Sequence, residues 1–174
     1  YRLVNRANLV IEGVTKAIEK GVISEAEGKD FIGQAMFFRA FSHYELLNFF
    51  ARPYKFTSDA SHLGVPYRLK PSNSVATIDE NIKLGRGTVA QNYAQVLSDL
   101  DTAENYMTSK TTRSTKNGIV YASKEAAIAL KTRVYLSKGD FPKVITEADK
   151  LNGKYSLMSD PNAPFANNYG NTES

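Results

Sequence analysis

The stretch FIGQAMFFRAFSHYELLNFF, Phe31 to Phe50, constrains this chain more than any other. Phe31, Phe37, Phe38, Phe41, His43, Tyr44, Phe49 and Phe50 crowd into it without a proline. It therefore reads as a helix too apolar to lie on a surface, with its rings mainly core. Ser24 opens the helix, since Ser24-x-x-Glu27 has the spacing of a capping box. Gly33, Ala35 and Ala40 would let a neighbouring helix approach closely, which compensates for the roughly 1 kcal/mol that a glycine costs inside a helix. Arg39 and Glu45 interrupt the apolar surface. A charge buried there has to be paired, so a structural ion pair or a head group at the helix edge is expected.

The other helices follow from period and caps. Val4, Ala7, Ile11, Val14 and Ile18 recur at spacings of three and four, the stripe of an amphipathic helix from Leu3 to Lys20 that stops at Gly21. Thr88 can cap a helix whose apolar positions are Val89, Tyr93, Val96, Leu100, Ala103 and Met107. Ser123 caps another, Lys124 to Lys138, ended by Gly139, and Asp140 caps the next, which has Pro142 in its first turn and runs to about Leu151. So short a turn makes these two antiparallel. The fold class is all-α, about five main helices in tetratricopeptide-like hairpins, with a long irregular loop between the second and third. Residues 1–158 form this domain. Residues 159–174 form an extended polar tail pinned by Tyr155, Leu157 and Phe165, leading to a C-terminal part that lies beyond this sequence. A pattern already helical at its first residues marks the chain as a piece of a longer protein.

Residues 51–87 contain Pro53, Gly64, Pro66, Pro71, Gly85 and Gly87 among many Ser, Asn and Asp, so they do not form one regular element. A loop of that length is usually functional or disordered. This one carries Tyr54, Phe56, His62, Tyr67 and Arg68, the candidate ligand-binding residues. Flat rings suit the CH faces of a sugar or peptide, and directional donors suit its polar groups. The same rings could instead clip the loop to the helices.

Several function classes find no support. With 174 residues, 42% of them hydrophobic, the chain can bury a core without a metal, and it has no cysteine. The net charge of +4 is spread along every segment, the only local basic cluster being Lys110 to Lys116. Nucleic-acid binding needs a basic stripe. No apolar run approaches the roughly 20 residues that span a bilayer. His43 and His62 have no metal-binding spacing, and no G-x-S-x-G elbow occurs. Asp99 and Asp101 read as a solvated helix flank rather than an acid/base pair. Gly85-Arg86-Gly87-Thr88 lacks phosphate-loop spacing and reads as a helix start. No catalytic residue, metal or cofactor is expected.

Tyr135 to Phe141, with Gly139-Asp140 at the turn and Ala148 beyond it, matches the middle of a tetratricopeptide repeat. Five stretches in order then resemble the SusD/RagB-like outer-membrane nutrient-binding proteins of Bacteroidetes. They are Arg6-Ala7-Asn8; Phe38-Arg39-Ala40-Phe41 with Tyr44 and Leu46; Gly64-Val65-Pro66-Tyr67; Arg86-Gly87-Thr88-Val89 with Tyr93, Asp99, Leu100 and Ala103; and Ala122 to Ala127 through Val134-Tyr135-Leu136, Gly139-Asp140-Phe141 and Tyr155-Ser156-Leu157. The resemblance implies a non-catalytic binding protein, lipid-anchored in its full-length form on the outward face of the outer membrane. Such a protein captures glycan or other nutrient oligomers for a TonB-dependent, SusC-like transporter, gripping ligand with loops that include the one after the second helix. The chain lacks a lipobox cysteine, and it lacks tryptophan, so a Tyr or Phe platform or a different ligand is implied. The rival reading is a tetratricopeptide protein-interaction scaffold that binds no sugar.

Overall fold

The computed structural model describes residues 1–108, 121–155 and Asp160. Among them are six α-helices and no strand: α1 (Arg2–Glu19), α2 (Glu25–Phe50), α3 (Val75–Lys83), α4 (Val89–Tyr106), α5 (Lys124–Lys138) and α6 (Phe141–Asp149). The expected basic cluster and most of the expected tail, including Leu157 and Phe165, lie outside the described residues.

The caps are those the sequence announces. Ser24 accepts the Glu27 N–H, Ser123 the Ala126 N–H and Asp140 the Lys143 N–H, while Thr88 and Gln91 form a reciprocal capping box. α5 ends at Gly139 with φ of +70°. The element that was not anticipated is α3, inside the long loop. Its start is the capping box of Ser74 and Thr77, and the loop also holds a 3-10 turn at Tyr54–Phe56.

α2 packs against α1 on one side and α4 on the other; α5 follows α4, and α6 follows α5. The core centres on α4, whose Val89, Tyr93, Val96, Leu100 and Ala103 are buried against Ala40, Tyr44 and Leu47 of α2 and Ala127, Leu130 and Val134 of α5. Each fully buried Val or Leu contributes roughly 1.5–3 kcal/mol. At Gly33 the helices come close: an added Cβ would lie 2.8 Å from Met107 Cγ and 3.1 Å from the Met107 backbone nitrogen.

The expectation that the rings of α2 are mainly core is corrected. Phe31, Phe38, Phe49 and Phe50 are exposed, and the buried face consists of Gly28, Ile32, Gly33, Ala35, Arg39, Ala40, His43, Tyr44 and Leu47. A helix pressed between two others has room on its inner faces only for small residues and a few large ones. Rings in excess of that are displaced to the flanks and the end. A second correction concerns Asp99, which is buried, only 3% exposed, rather than on a solvated flank.

Salt links tie the C-terminal hairpin to α4. Lys131 on α5 reaches Asp101 at 2.7 Å, Glu104 at 2.6 Å and Glu147 at 3.1 Å. Burial alone would pull its pKa down, but the three carboxylates outweigh burial and hold it above the usual lysine value.

Candidate functional site

The loop after α2 is fastened at its inner end by a buried polar network. Arg39 on α2 donates through Nε and Nη2 to the two oxygens of Asp99 on α4, both at 2.7 Å. Its Nη1 donates to Asn8 Oδ1 at 3.0 Å. Gln95 Nε2 and the Tyr67 hydroxyl donate to the remaining lone pairs of Asp99, at 3.2 and 2.8 Å. This bidentate, fully hydrogen-bonded pair is the arrangement that lets a guanidinium and a carboxylate stay together out of water. Asn8 turns its Nδ2 outward to the loop, donating to the carbonyls of Arg68 and Lys70.

His43 completes the attachment. Nδ1 lies 3.0 Å from the Arg39 carbonyl, which can only accept, and Nε2 accepts the Arg68 N–H at 3.1 Å. The ring is therefore neutral with its proton on Nδ1. Burial lowers its pKa to about 4, against the weaker upward pull of the Arg39 carbonyl and Asp99. Tyr67 stacks on it with centroids 3.6 Å apart. Burial, with Asp99 adding to it, drives the Tyr67 phenol far above the ordinary tyrosine range.

The loop's middle is stitched to the start of α4. The Val89 and Ala90 N–H groups, orphans of the first helical turn, donate to the carbonyls of His62 and Ala60. The Val65 N–H donates to Asn92 Oδ1 at 2.7 Å, and a Cβ at Gly64 would collide with that same Asn92 side chain, so close approach of the backbone requires glycine. Arg86 bridges outward, with Nε to the Gly64 carbonyl at 2.5 Å and Nη2 to the carbonyls of Phe50 and Leu63, each at 3.3 Å.

The outer edge is of a different character. Phe50 is 68% exposed and Phe56 59% exposed. Phe56 meets His62 edge to face at 5.3 Å, with the Arg52 guanidinium 5.3 Å above its ring. His62 is held by Thr57 at 2.9 Å and by the Arg52 carbonyl at 3.2 Å. Beside this edge is a cavity of about 400 Å³ lined by Tyr1, Leu46, Phe50, Val65, Pro66 and Arg86.

The five candidate residues thus divide. The exposed Phe56 pairs with the half-buried His62. Tyr67 and Arg68 lie against His43 and Tyr1, the Arg68 guanidinium 4.3 Å from the Tyr1 ring centroid. Tyr54 packs edge-on to Tyr93 at 4.9 Å, with Lys138 Nζ 5.3 Å above it, so it clips the loop to α4 and α5. Phe50, Arg52, Arg86 and Tyr1 stand with the exposed set, although the sequence singled out none of them as ligand contacts. The available signal was position, since Phe50 ends α2 just where the chain leaves the packed layer. Among the described residues no group of His, Asp and Glu could hold a metal, and no helix is long and apolar enough to cross a membrane.

Residues 1–136 match the SusD-like family described as starch-binding and associating with the outer membrane. A SusD superfamily protein from Bacteroides thetaiotaomicron VPI-5482 is 29% identical with a TM-score of 0.74, over 94% of this chain and 34% of that one. Another, from Bacteroides fragilis, is 30% identical with a TM-score of 0.74, over 90% and 34%. A laminarin-binding SusD-like protein at 18% identity shares the fold, with a TM-score of 0.63, over 90% and 29%. The chain thus spans about a third of the length of these structures. No curated protein matches it.

Proposed function

The chain belongs to the SusD-like family of starch-binding, outer-membrane-associated proteins, and from that premise we propose that it is the helical part of a non-catalytic glycan-capture protein. In its full-length form the protein sits lipid-anchored on the outward face of the outer membrane and delivers oligosaccharide to a TonB-dependent, SusC-like transporter. The observation that carries the reading to a place on the molecule is the exposed edge of the loop after α2. There Phe50 and Phe56 offer flat faces while the Arg52 guanidinium offers donors, with His62 holding the edge through Thr57 and the Arg52 carbonyl. Sugar recognition needs that pairing of ring and directional polar group. Tyr54 and Tyr67 serve by holding the edge in place, because their rings and the Tyr67 hydroxyl are already engaged.

The test is binding of a panel of immobilised oligosaccharides by the full-length protein. Phe50→Ala and Phe56→Ala are expected to weaken the bound sugar at least tenfold. Unchanged binding in both variants would move the site away from this edge, and no bound sugar at all would sink glycan capture.

A second reading, a protein-interaction scaffold with no sugar binding of its own, is favoured by a different observation. An apolar groove of about 430 Å³ runs between α1 and α2, lined by Leu3, Val10, Val14, Phe31 and Phe38 among others. That reading gains if Phe38→Asp releases a co-purifying transporter while the loop variants have no effect on any ligand.

A further inference from the structure

The cations around the outer cavity are unpaired in a way that neutral sugar binding does not require. Arg68 is half-buried, its Nε is shielded from water, and among the described residues none of its guanidinium N–H groups has a hydrogen-bond partner. Its guanidinium lies over the face of Tyr1. A buried guanidinium N–H without an acceptor, here Nε, carries an uncompensated desolvation cost. Arg86, which lines the cavity, uses Nε and Nη2 on carbonyl oxygens and among the described residues meets no carboxylate.

The two cations converge on one side chain. Tyr1 lines the cavity, and its hydroxyl donates to the Pro66 carbonyl at 3.0 Å. Burial raises its pKa, and both Arg68 and Arg86 pull it down, so both positive charges lie within electrostatic reach of that phenol. The cavity's lining contains no acidic residue. The nearby loop carboxylates are engaged otherwise: Asp59 accepts the Ser61 N–H, and Glu80 pairs with Lys70 at 2.7 Å.

We infer that the cavity bounded by Tyr1, Phe50 and Arg86, together with the adjoining Arg68, binds an acidic sugar, one carrying a carboxylate or a sulfate ester on its ring. Phe50 takes the apolar face of the ring, and the two arginines take the anionic substituent through charge-assisted hydrogen bonds, which are about twice as strong as neutral ones. The inference rests on the glycan-capture reading and specifies its ligand.

The experiment uses the full-length protein on an array of uronate-containing oligosaccharides, their neutral methyl esters, sulfated oligosaccharides and neutral glucans, followed by titration of the best binder. The acid is expected to bind at least tenfold more tightly than its methyl ester, and raising NaCl from about 50 to 500 mM should erase most of that margin. Arg68→Gln removes no side-chain hydrogen bond among the described residues, so it should fold and bring the acid down to the affinity of the ester. Arg86→Gln should act in the same direction, but because Arg86 also ties three carbonyls, Arg68→Gln is the decisive variant. Whether uronates or sulfates bind names the source of the anion, and either supports the inference. Equal binding of acid and ester, or neutral glucans alone, overturns it while leaving glycan capture standing. No bound glycan of any kind overturns both.

Discussion

The two sides of the loop after α2 are built from the same residue types and differ in what those residues touch. On the inner side Arg39, Tyr67 and His43 have nearly every polar atom engaged, and the Arg39 and Asp99 side chains are only 7% and 3% exposed. On the outer side the Phe50 and Phe56 rings are largely in solvent, with the exposed Arg52 and the half-buried His62 beside Phe56. An arginine, an aromatic and a histidine thus serve stability in one place and, under the glycan-capture proposal, recognition in the other. Stability and binding should therefore come apart under mutation, and variants on the two sides can show that they do not.

The largest effect is expected from Asp99→Ala. It leaves Arg39 buried without its partner and strips the Tyr67 hydroxyl and Gln95 of their acceptor. The loss should be about 3–5 kcal/mol, a large part of a typical domain's stability, read as a shift in urea midpoint. The double variant Arg39→Met, Asp99→Leu should lose less than the two single losses summed, because no charge is then stranded. A small loss for Asp99→Ala would mean that water already reaches the network, and the contrast between the two sides would fail.

Next in size is a pH effect confined to the inner side. His43 has a pKa of about 4 in the folded protein because burial disfavours the charged ring, against an ordinary value of 6.5. Between those two values the unfolded chain binds more protons than the folded one, so stability falls as pH drops from 6.5 toward 4 and levels off below. The loss should reach about 3 kcal/mol. Comparing urea midpoints at pH 7 and pH 4 for the parent and for His43→Gln isolates this contribution. An equally steep pH dependence in both proteins would remove His43 from the account.

What the sequence disclosed follows the same division. Helix starts were legible because Ser24, Thr88, Ser123 and Asp140 act on amides three residues away, a strictly local effect. The Arg39–Asp99 pair joins residues sixty apart, and no local rule couples them. A clue was present all the same: Asp99 follows Val96 by three and precedes Ala103 by four, which puts it on the buried stripe of α4. A carboxylate at such a position asks for a buried cation, and Arg39 follows Ala35 by four on the inner face of α2. α3 was hidden because nine residues hold too few turns for a periodic pattern to stand out beside Pro71 and its polar neighbours. The exposure of Phe49 and Phe50 was hidden because composition reports how apolar a helix is, and only packing decides which rings the neighbouring helices have room to cover.

Tyr67→Phe probes the seam between the two sides. It keeps the ring on His43 and removes only the hydrogen bond to Asp99. Loss of a bond to a charged acceptor should cost about 1–2 kcal/mol, with glycan affinity reduced less than twofold. A tenfold loss of affinity at unchanged stability would mean that the Tyr67 hydroxyl faces ligand, contrary to its engagement with Asp99.

The smallest effect on stability belongs to Phe56→Ala, and it tests the comparison most sharply because its two readouts must diverge. The ring is 59% exposed, and among the described residues its ring partners are Arg52 and His62, the latter anchored by the Thr57 hydroxyl and the Arg52 carbonyl. Truncating it removes little buried area, so the urea midpoint should move by no more than about 0.5 kcal/mol. A ring kept so far in water gains little for the fold, and the glycan-capture proposal assigns it to ligand instead. Glycan binding by the full-length protein should therefore fall at least tenfold in the variant whose stability changes least. If stability falls by 2 kcal/mol or more instead, the outer edge is a clip like Tyr54, and the functional surface must be sought elsewhere.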